Sequence, residues 1–298
     1  MYLIRGQHNL ELFKSRFKDI KLSGTIGNFD GLHLGHQAIL EKIKNNSQEF
    51  NSKTIVFFTE PHASEYFASI NNLHNKIPPR ICSWREKFKL LEKSGIDFAF
   101  FLKFNNSLRT MSPENFISEI LDSINLKSFT VGDDFRFGLD RKGDTDQLRE
   151  WGKKRGILVE NTETILYEDE RVSSSRIRKA LIDNNFKLAE KLLGRPYTFS
   201  GKVVHGQHLG RTIDIPTANI WLPKQKLPIQ GVYAVQCNLG EKTYYGIANM
   251  GVRPTVGGTN PVLEVHLFEF SEFIYSQRLK VRFIKKIRDE KKFENLDM

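Results

Sequence analysis

His33 and His36 lie three residues apart in the run Gly27-Asn28-Phe29-Asp30-Gly31-Leu32-His33-Leu34-Gly35-His36-Gln37. On the first turn of a helix that spacing points both imidazoles to one side. A helix start also presents unpaired N–H groups and a partial positive charge, which suit a phosphate. Glycines at 27, 31 and 35 mark where the backbone must bend or approach something closely. Two imidazoles over an anion hole can bind a polyphosphate and stabilise charge as a P–O bond breaks. No Gly-Lys-Ser/Thr follows, so this is not a Walker loop. Nothing nearby completes a zinc site with the two histidines.

A second anion site is readable in Arg171-Val172-Ser173-Ser174-Ser175-Arg176-Ile177-Arg178, where serines open a helix and arginines supply charge. Gly132-Asp133-Asp134-Phe135-Arg136-Phe137-Gly138 places two rings beside charged groups, a pattern able to hold a flat heteroaromatic ligand. Farther on, Gly206-Gln207-His208-Leu209-Gly210-Arg211 is a glycine-flanked loop whose N–H groups can lie on phosphates. Thr217 and Asn219 offer neutral oxygens to a hard cation, and magnesium needs few protein ligands when phosphate fills its shell. Glu264, isolated among Leu263, Val265 and Leu267, is either solvent-facing or a general base for an alcohol nucleophile. Glu60 and His62, at the end of another apolar run, are expected near the His33/His36 turn.

These groups need elements to hold them. Ile20 to Ile26 reads as a strand entering the first motif, and Ala38, Ile39, Leu40 and Ile43 recur at helical spacing after it. Lys53–Phe58, Ile96–Leu102 and Phe129–Val131 read as further strands, with helices over Ser83–Ser94 and from Ser112-Pro113. The alternation predicts a doubly wound parallel sheet, whose strand carboxyl ends line a ligand crevice. Beyond Leu193-Gly194-Arg195-Pro196, short strands punctuated by turns predict a small β-barrel or sandwich. Two domains follow, 1–185 and 186–298.

The chain of 298 residues has 39% hydrophobic and 27% charged residues, an ordinary globular balance. Its two cysteines, Cys82 and Cys237, fall in different halves and give no disulfide framework, so a reducing cytoplasm is expected. Charge arrives too early at the N-terminus for a signal peptide, and no apolar run reaches a membrane span. A net charge of +10 suits anionic phosphate substrates as well as nucleic acid. The Lys280–Lys292 stretch carries seven Lys or Arg but alternates like a strand with one wet face, so no nucleic-acid partner is expected. A monomer or weak homo-oligomer is expected.

The first motif resembles the GxFDGxHxGH signature of the nucleotidylyltransferase superfamily, and Ser173 to Arg178 resembles its ISSTxxR element. The second half resembles riboflavin kinase through Gly-x-x-x-Gly-Arg-Thr, Pro-Thr-Ala-Asn, Gly-Val-Tyr-Ala-Val, Gly-Ile-Ala-Asn-Met-Gly-x-Arg-Pro-Thr, Leu-Glu-Val-His and Ile-Arg-Asp-Glu-Lys-Lys-Phe. Together they resemble the bacterial bifunctional riboflavin kinase/FMN adenylyltransferase family, from Gly27 to Phe293. That resemblance implies a Rossmann-like nucleotidylyltransferase domain followed by an antiparallel kinase barrel. It implies ATP, riboflavin and FMN as substrates and Mg2+ as cofactor. It implies nucleotide contacts at Gly27, Phe29, Asp30, Gly31, Gly35, Ser174, Ser175, Gly206, Gly210 and Arg211. Catalytic roles fall on His33, His36, Arg178 and Glu264, metal binding on Thr217 and Asn219, and flavin contacts on Asp134, Phe135, Phe137 and Arg288. Two departures stand out: Phe58-Thr59-Glu60-Pro61-His62-Ala63 replaces the usual Thr-Phe-x-Pro-His-Pro, and the sequence stops at Asp297-Met298. These leave an alternative in which only one activity is retained, for example an adenylyltransferase with a flavin-binding barrel.

Overall fold

The computed structural model describes residues 1–73, 77–205, 217–222, 227–255 and 258–290. Two compact units emerge, one of Met1–Pro78 with Lys87–Val172, the other of Pro79–Glu86 with the chain from Ser173 onward.

The first unit is built on β1 (Tyr2–Arg5), β2 (Leu22–Ile26), β3 (Lys53–Glu60), β4 (Phe98–Lys103), β5 (Leu126–Gly132) and β6 (Leu158–Thr162). They form one sheet in the order β1-β4-β3-β2-β5-β6, and every pair is parallel. The central strands are buried along nearly their whole length, as parallel strands covered on both faces must be. One face packs Phe57, Phe100 and Phe129 with Leu121 and Leu148; the other packs Phe29, Leu40, Ile43, Val56 and Ala99. From β2 the chain winds through β3 and β4 to one side, then returns to place β5 on the other. The carboxyl end of β2 is therefore a topological switch point, the position where such sheets bind ligands.

The helices are α1 (Leu10–Arg16), α2 (Leu34–Glu49), α3 (Ala63–Ile70), α4 (Trp84–Lys93), α5 (Asn106–Thr110), α6 (Pro113–Phe116) and α7 (Thr145–Arg155). Ser112 caps α6, its Oγ accepting from the Asn115 N–H at 3.1 Å, with Pro113 at the first helical position. The helix then widens to a π-helical turn over Ile117–Leu121, which keeps Ile117, Ile120 and Leu121 buried. A polar clamp holds α2 to the sheet. Buried Asn46 donates to Glu160 Oε1 at 2.5 Å and to Thr130 Oγ1 at 3.3 Å, and Lys42 pairs with Glu160 at 3.2 Å.

A small hairpin, β7 (Leu166–Tyr167) with β8 (Glu170–Arg171), leads to α8 (Ser174–Ile182) and α9 (Phe186–Leu193), which belong with the second unit. Then β9 (Thr198–Val204), β10 (Ala218–Ile220), β11 (Gly231–Leu239), β12 (Lys242–Thr255), β13 (Gly258–Leu267) and β14 (Arg278–Arg288) close a barrel in the order β10-β13-β12-β11-β14-β9. All its pairs are antiparallel. The segment Ala218-Asn219-Ile220, not singled out as a strand in sequence, is one. Its three residues pair with β13 on one side, and Asn219 and Ile220 pair with β9 on the other. A three-residue strand carries too little alternation to be seen without its partners. In β11 burial alternates residue by residue, so one face fills the barrel and the other points out. Segment 79–86 is fastened within this unit by Arg178 Nε donating to the Pro79 carbonyl at 2.8 Å and Ser200 N–H donating to Glu86 Oε1 at 2.8 Å.

Candidate active sites

At the carboxyl end of β2 the chain turns through positive φ at Phe29 (48°), Gly31 (78°) and Leu32 (44°) before α2 begins. His33 is the N-cap of α2: its Nδ1 accepts the His36 backbone N–H at 3.3 Å. An imidazole nitrogen that accepts is unprotonated, so in the neutral ring the proton sits on Nε2. The His33 and His36 rings stack with centroids 3.7 Å apart and planes 19° apart, and Phe29 supports His36 at 5.0 Å. The expected same-side pair is thus formed. Gly35 has a geometric reason: a Cβ there would meet the His33 ring at 3.2 Å. Phe29, Asp30 and His33 are buried, so their side chains support the turn from beneath, while His36 is half-buried at its surface.

Three other predicted positions in this unit are drawn together less tightly. Asp134 is exposed and pairs with Arg171 at 3.0 Å, and Arg171 also pairs with Asp133 at 3.0 Å. Asp133 accepts from the Thr164 hydroxyl, and chiefly that bond holds its carboxyl below the usual aspartate range. Phe135 stacks on Phe137 at 5.7 Å and 12°, but Phe137 is buried, packed over Gly143. Only Phe135 of the two rings is placed at the edge of the core. His62 is buried, shares the capping of α3 with Glu65, and meets the buried Lys87 ammonium at 3.3 Å. It is an anchor for its loop. Nothing in the spacing of Lys87 marked that partnership.

In the second unit, the N-cap of α8 is Ser173, whose Oγ accepts the Arg176 N–H at 3.2 Å. Ser174 and Ser175 form the first turn, and Arg178 is fixed by its bond to Pro79.

In the barrel, register does what sequence spacing could not. Asn219 on β10 lies opposite Glu264 on β13, and Glu264 lies opposite Asn249 on β12. The row continues to Val232 on β11 and Arg288 on β14. Directly opposed residues share a face, with Cβ atoms about 4.5–5.5 Å apart. Their neighbours Ile220, Leu263, Val265, Ala248 and Met250 are buried inside the barrel, so Glu264 and its row project outward. Glu290 lies against Gly251, where a Cβ would strike its carboxylate, and therefore flanks Asn249 on the same face. Thr217, just before β10, lines a cavity of about 310 Å³ walled also by Phe270, Phe273 and Tyr275. Tyr275 stacks on His205 at 4.0 Å. Gly206, Gly210 and Arg211 lie outside the described residues.

No group of three or more His, Cys, Asp or Glu among the described residues could hold a metal by itself. Thr217 immediately precedes β10 and Asn219 lies within it, two residues on. Burial pushes the Cys237 thiol up to about 12, so it takes no part in nucleophilic chemistry. No helix among the described residues is long and apolar enough to cross a membrane.

Comparison with known proteins assigns both units. A family described as FAD synthetase matches residues 18–176, and one described as riboflavin kinase matches residues 193–298. The chain is 42% identical to the bifunctional riboflavin kinase/FMN adenylyltransferase of Escherichia coli K12, spanning 100% of this chain and 93% of that protein. It is 41% identical to the protein of the same name from Haemophilus influenzae, with 100% and 94% covered. Among solved structures it resembles a Streptococcus pneumoniae chain titled macrolide-efflux protein, with TM-score 0.77, 29% identity, and 99% and 93% of the two chains covered.

Proposed function

The chain belongs to the bifunctional riboflavin kinase/FMN adenylyltransferase family, and from that premise we propose which residues carry each step. The enzyme phosphorylates riboflavin with ATP to give FMN, then transfers AMP from a second ATP to FMN, giving FAD and pyrophosphate.

Phosphorylation is assigned to 186–298. The terminal ribityl hydroxyl is a poor nucleophile, so Glu264 takes its proton as oxygen attacks the γ-phosphorus of ATP. The observation that supports this reading is the cross-strand pairing of Glu264 with Asn219, which sets a carboxylate beside an amide oxygen on one outward-facing, half-buried face. Thr217 and Asn219 would hold magnesium, which when bound neutralises phosphate charge. The cavity bounded by Thr217 and the Phe270–Tyr275 rings suits the base of ATP. Arg288, at the end of the Glu264 row, is assigned to the flavin, and Gly206, Gly210 and Arg211 to the nucleotide.

Adenylyl transfer is assigned to 1–185, with α8 included on chemical grounds although it packs with the second unit. FMN phosphate is already an anion, so this step needs alignment and charge neutralisation and no base. His33 and His36 bind the triphosphate and stabilise the departing pyrophosphate; the turn Gly27–Gly31 and Gly35 lets it approach. By the family resemblance Ser174, Ser175 and Arg178 are assigned to the nucleotide in this step. Asp134 and Phe135 contact the flavin, with Phe137 supporting Phe135 from the core. The protein is assigned to the cytoplasm, as a monomer or weak homo-oligomer without a nucleic-acid partner.

The test is incubation with riboflavin, ATP and magnesium, separating the three flavins over time. FMN rising and then converting to FAD supports both sites. FAD made only from supplied FMN would leave the barrel without its assigned chemistry.

A further inference from the structure

Asn249 has an unusual environment for a barrel residue. Its Oδ1 is shielded from solvent and makes no hydrogen bond. A buried polar atom left bare costs about 1–3 kcal/mol, so native proteins keep few of them. The neighbours explain why this one is retained. Asn249 is the direct cross-strand partner of Glu264, on the side away from Asn219. Glu264 is thus flanked by two amides, of which Asn219 is assigned to the metal and Asn249 to nothing.

What could satisfy an amide there must both donate and accept, because Oδ1 is an acceptor and Nδ2 a double donor. Phosphate oxygens offer no donor, and magnesium would take Oδ1 alone and leave Nδ2 unanswered. A chain of hydroxyl groups offers both. The terminal torsion of Asn is broad and roughly two-fold, so an amide with no protein bond to its oxygen can turn to present either end.

We propose that Asn249 is a substrate-positioning residue of the kinase site, binding the secondary hydroxyls of the flavin's polyol chain while Glu264 faces the terminal one. The inference rests on the assignment of Glu264 as base. By holding the polyol, Asn249 fixes the reacting oxygen in line, the kind of alignment on which phosphoryl transfer depends. It also lets the site discriminate a hydroxylated side chain from a plain alkyl alcohol.

The experiment compares riboflavin with a flavin carrying a 5-hydroxypentyl side chain, which keeps the terminal hydroxyl and lacks the secondary ones. The wild-type full chain should prefer riboflavin in kcat/KM. Asn249→Val should lower kcat/KM for riboflavin roughly tenfold, the worth of about one hydrogen bond, and leave the analogue unchanged. Equal losses for both flavins would make Asn249 merely structural and overturn the proposal, as would no loss at all. A shifted magnesium requirement with the preference for riboflavin intact would make it a metal ligand instead, and also overturn it. Should the valine variant lose its thermal transition, Asn249→Ser is subjected to the same comparison. Glu264→Gln separates the two ideas, since retained phosphorylation there sinks the base assignment whatever Asn249 does.

Discussion

The stacked pair at the start of α2 makes its two rings unequal. His33 is tied by Nδ1 to the helix it caps, while His36 lies between that ring and Phe29. His36→Ala should therefore remove a phosphate-facing group without undoing the cap. FAD formation should fall roughly a hundredfold, by analogy with loss of one oxyanion donor, while FMN accumulates from riboflavin. Unchanged FAD output would end its assigned role. Glu264→Gln is the mirror experiment: FMN formation should drop by about two to four orders of magnitude, as for loss of a general base, with FAD still made from supplied FMN. His33, His36, Asn219 and Glu264 were legible in sequence as candidates, and the structure stacks the first two and pairs the last two across strands. Asn249 was visible only as a letter in a quoted string, because what gives it meaning is pairing with β13, and register is a property of two strands at once. Phe137 illustrates the opposite error, a ring that reads as a ligand platform and is spent on the core.

Helices and strands carry their own liabilities. The clamp of Asn46 on Glu160 and Thr130 is what seats α2, and with it the His33 cap, at the switch point. Asn46→Ala removes a hydrogen bond to a charged carboxylate, although Glu160 keeps Lys42 and the Thr130 hydroxyl, and should cost about 1.5–3 kcal/mol, measurable as a lower midpoint in denaturant. Unaltered stability would mean the clamp is incidental. Helical spacing marked α2, but an Asn on its buried side gave no hint of its partner 114 residues on. Strand β9 is joined to Glu86, whose pKa is raised above the ordinary 4.5 chiefly by burial, against hydrogen bonds from Ser83 and Ser200. A raised carboxylate contributes its full stability below the unfolded-state value and loses it as pH climbs through the folded value. The melting temperature of the wild type relative to Glu86→Gln should therefore decline as pH rises above the ordinary 4.5. A difference that is flat, or grows, would refute that sign. The alternation of the barrel strands was readable; β10, at three residues, was not.

Over the chain as a whole, each step is assigned to its own set of residues, so crippled copies should complement one another. A mixture of the Glu264→Gln and His36→Ala proteins should make FAD from riboflavin, because FMN released by one can be used by the other. If the mixture fails while each variant retains its surviving step, FMN does not pass freely through solution. The order of the two folds was legible from end to end of the sequence. The interleaving was not, since no composition shift marks residues 79–86 as members of the second unit.

That interleaving bears on how such a protein can be taken apart by evolution. A gene cut once, just before Ser173, would leave Arg178 without the Pro79 carbonyl and Ser200 without Glu86. The barrel half would lose a segment that packs with it, and the sheet half would keep a stretch of chain bereft of its anchorage. A functional split would need new residues to take the place of that eight-residue loan, so fission of this enzyme into two free-standing genes requires compensation as well as a break.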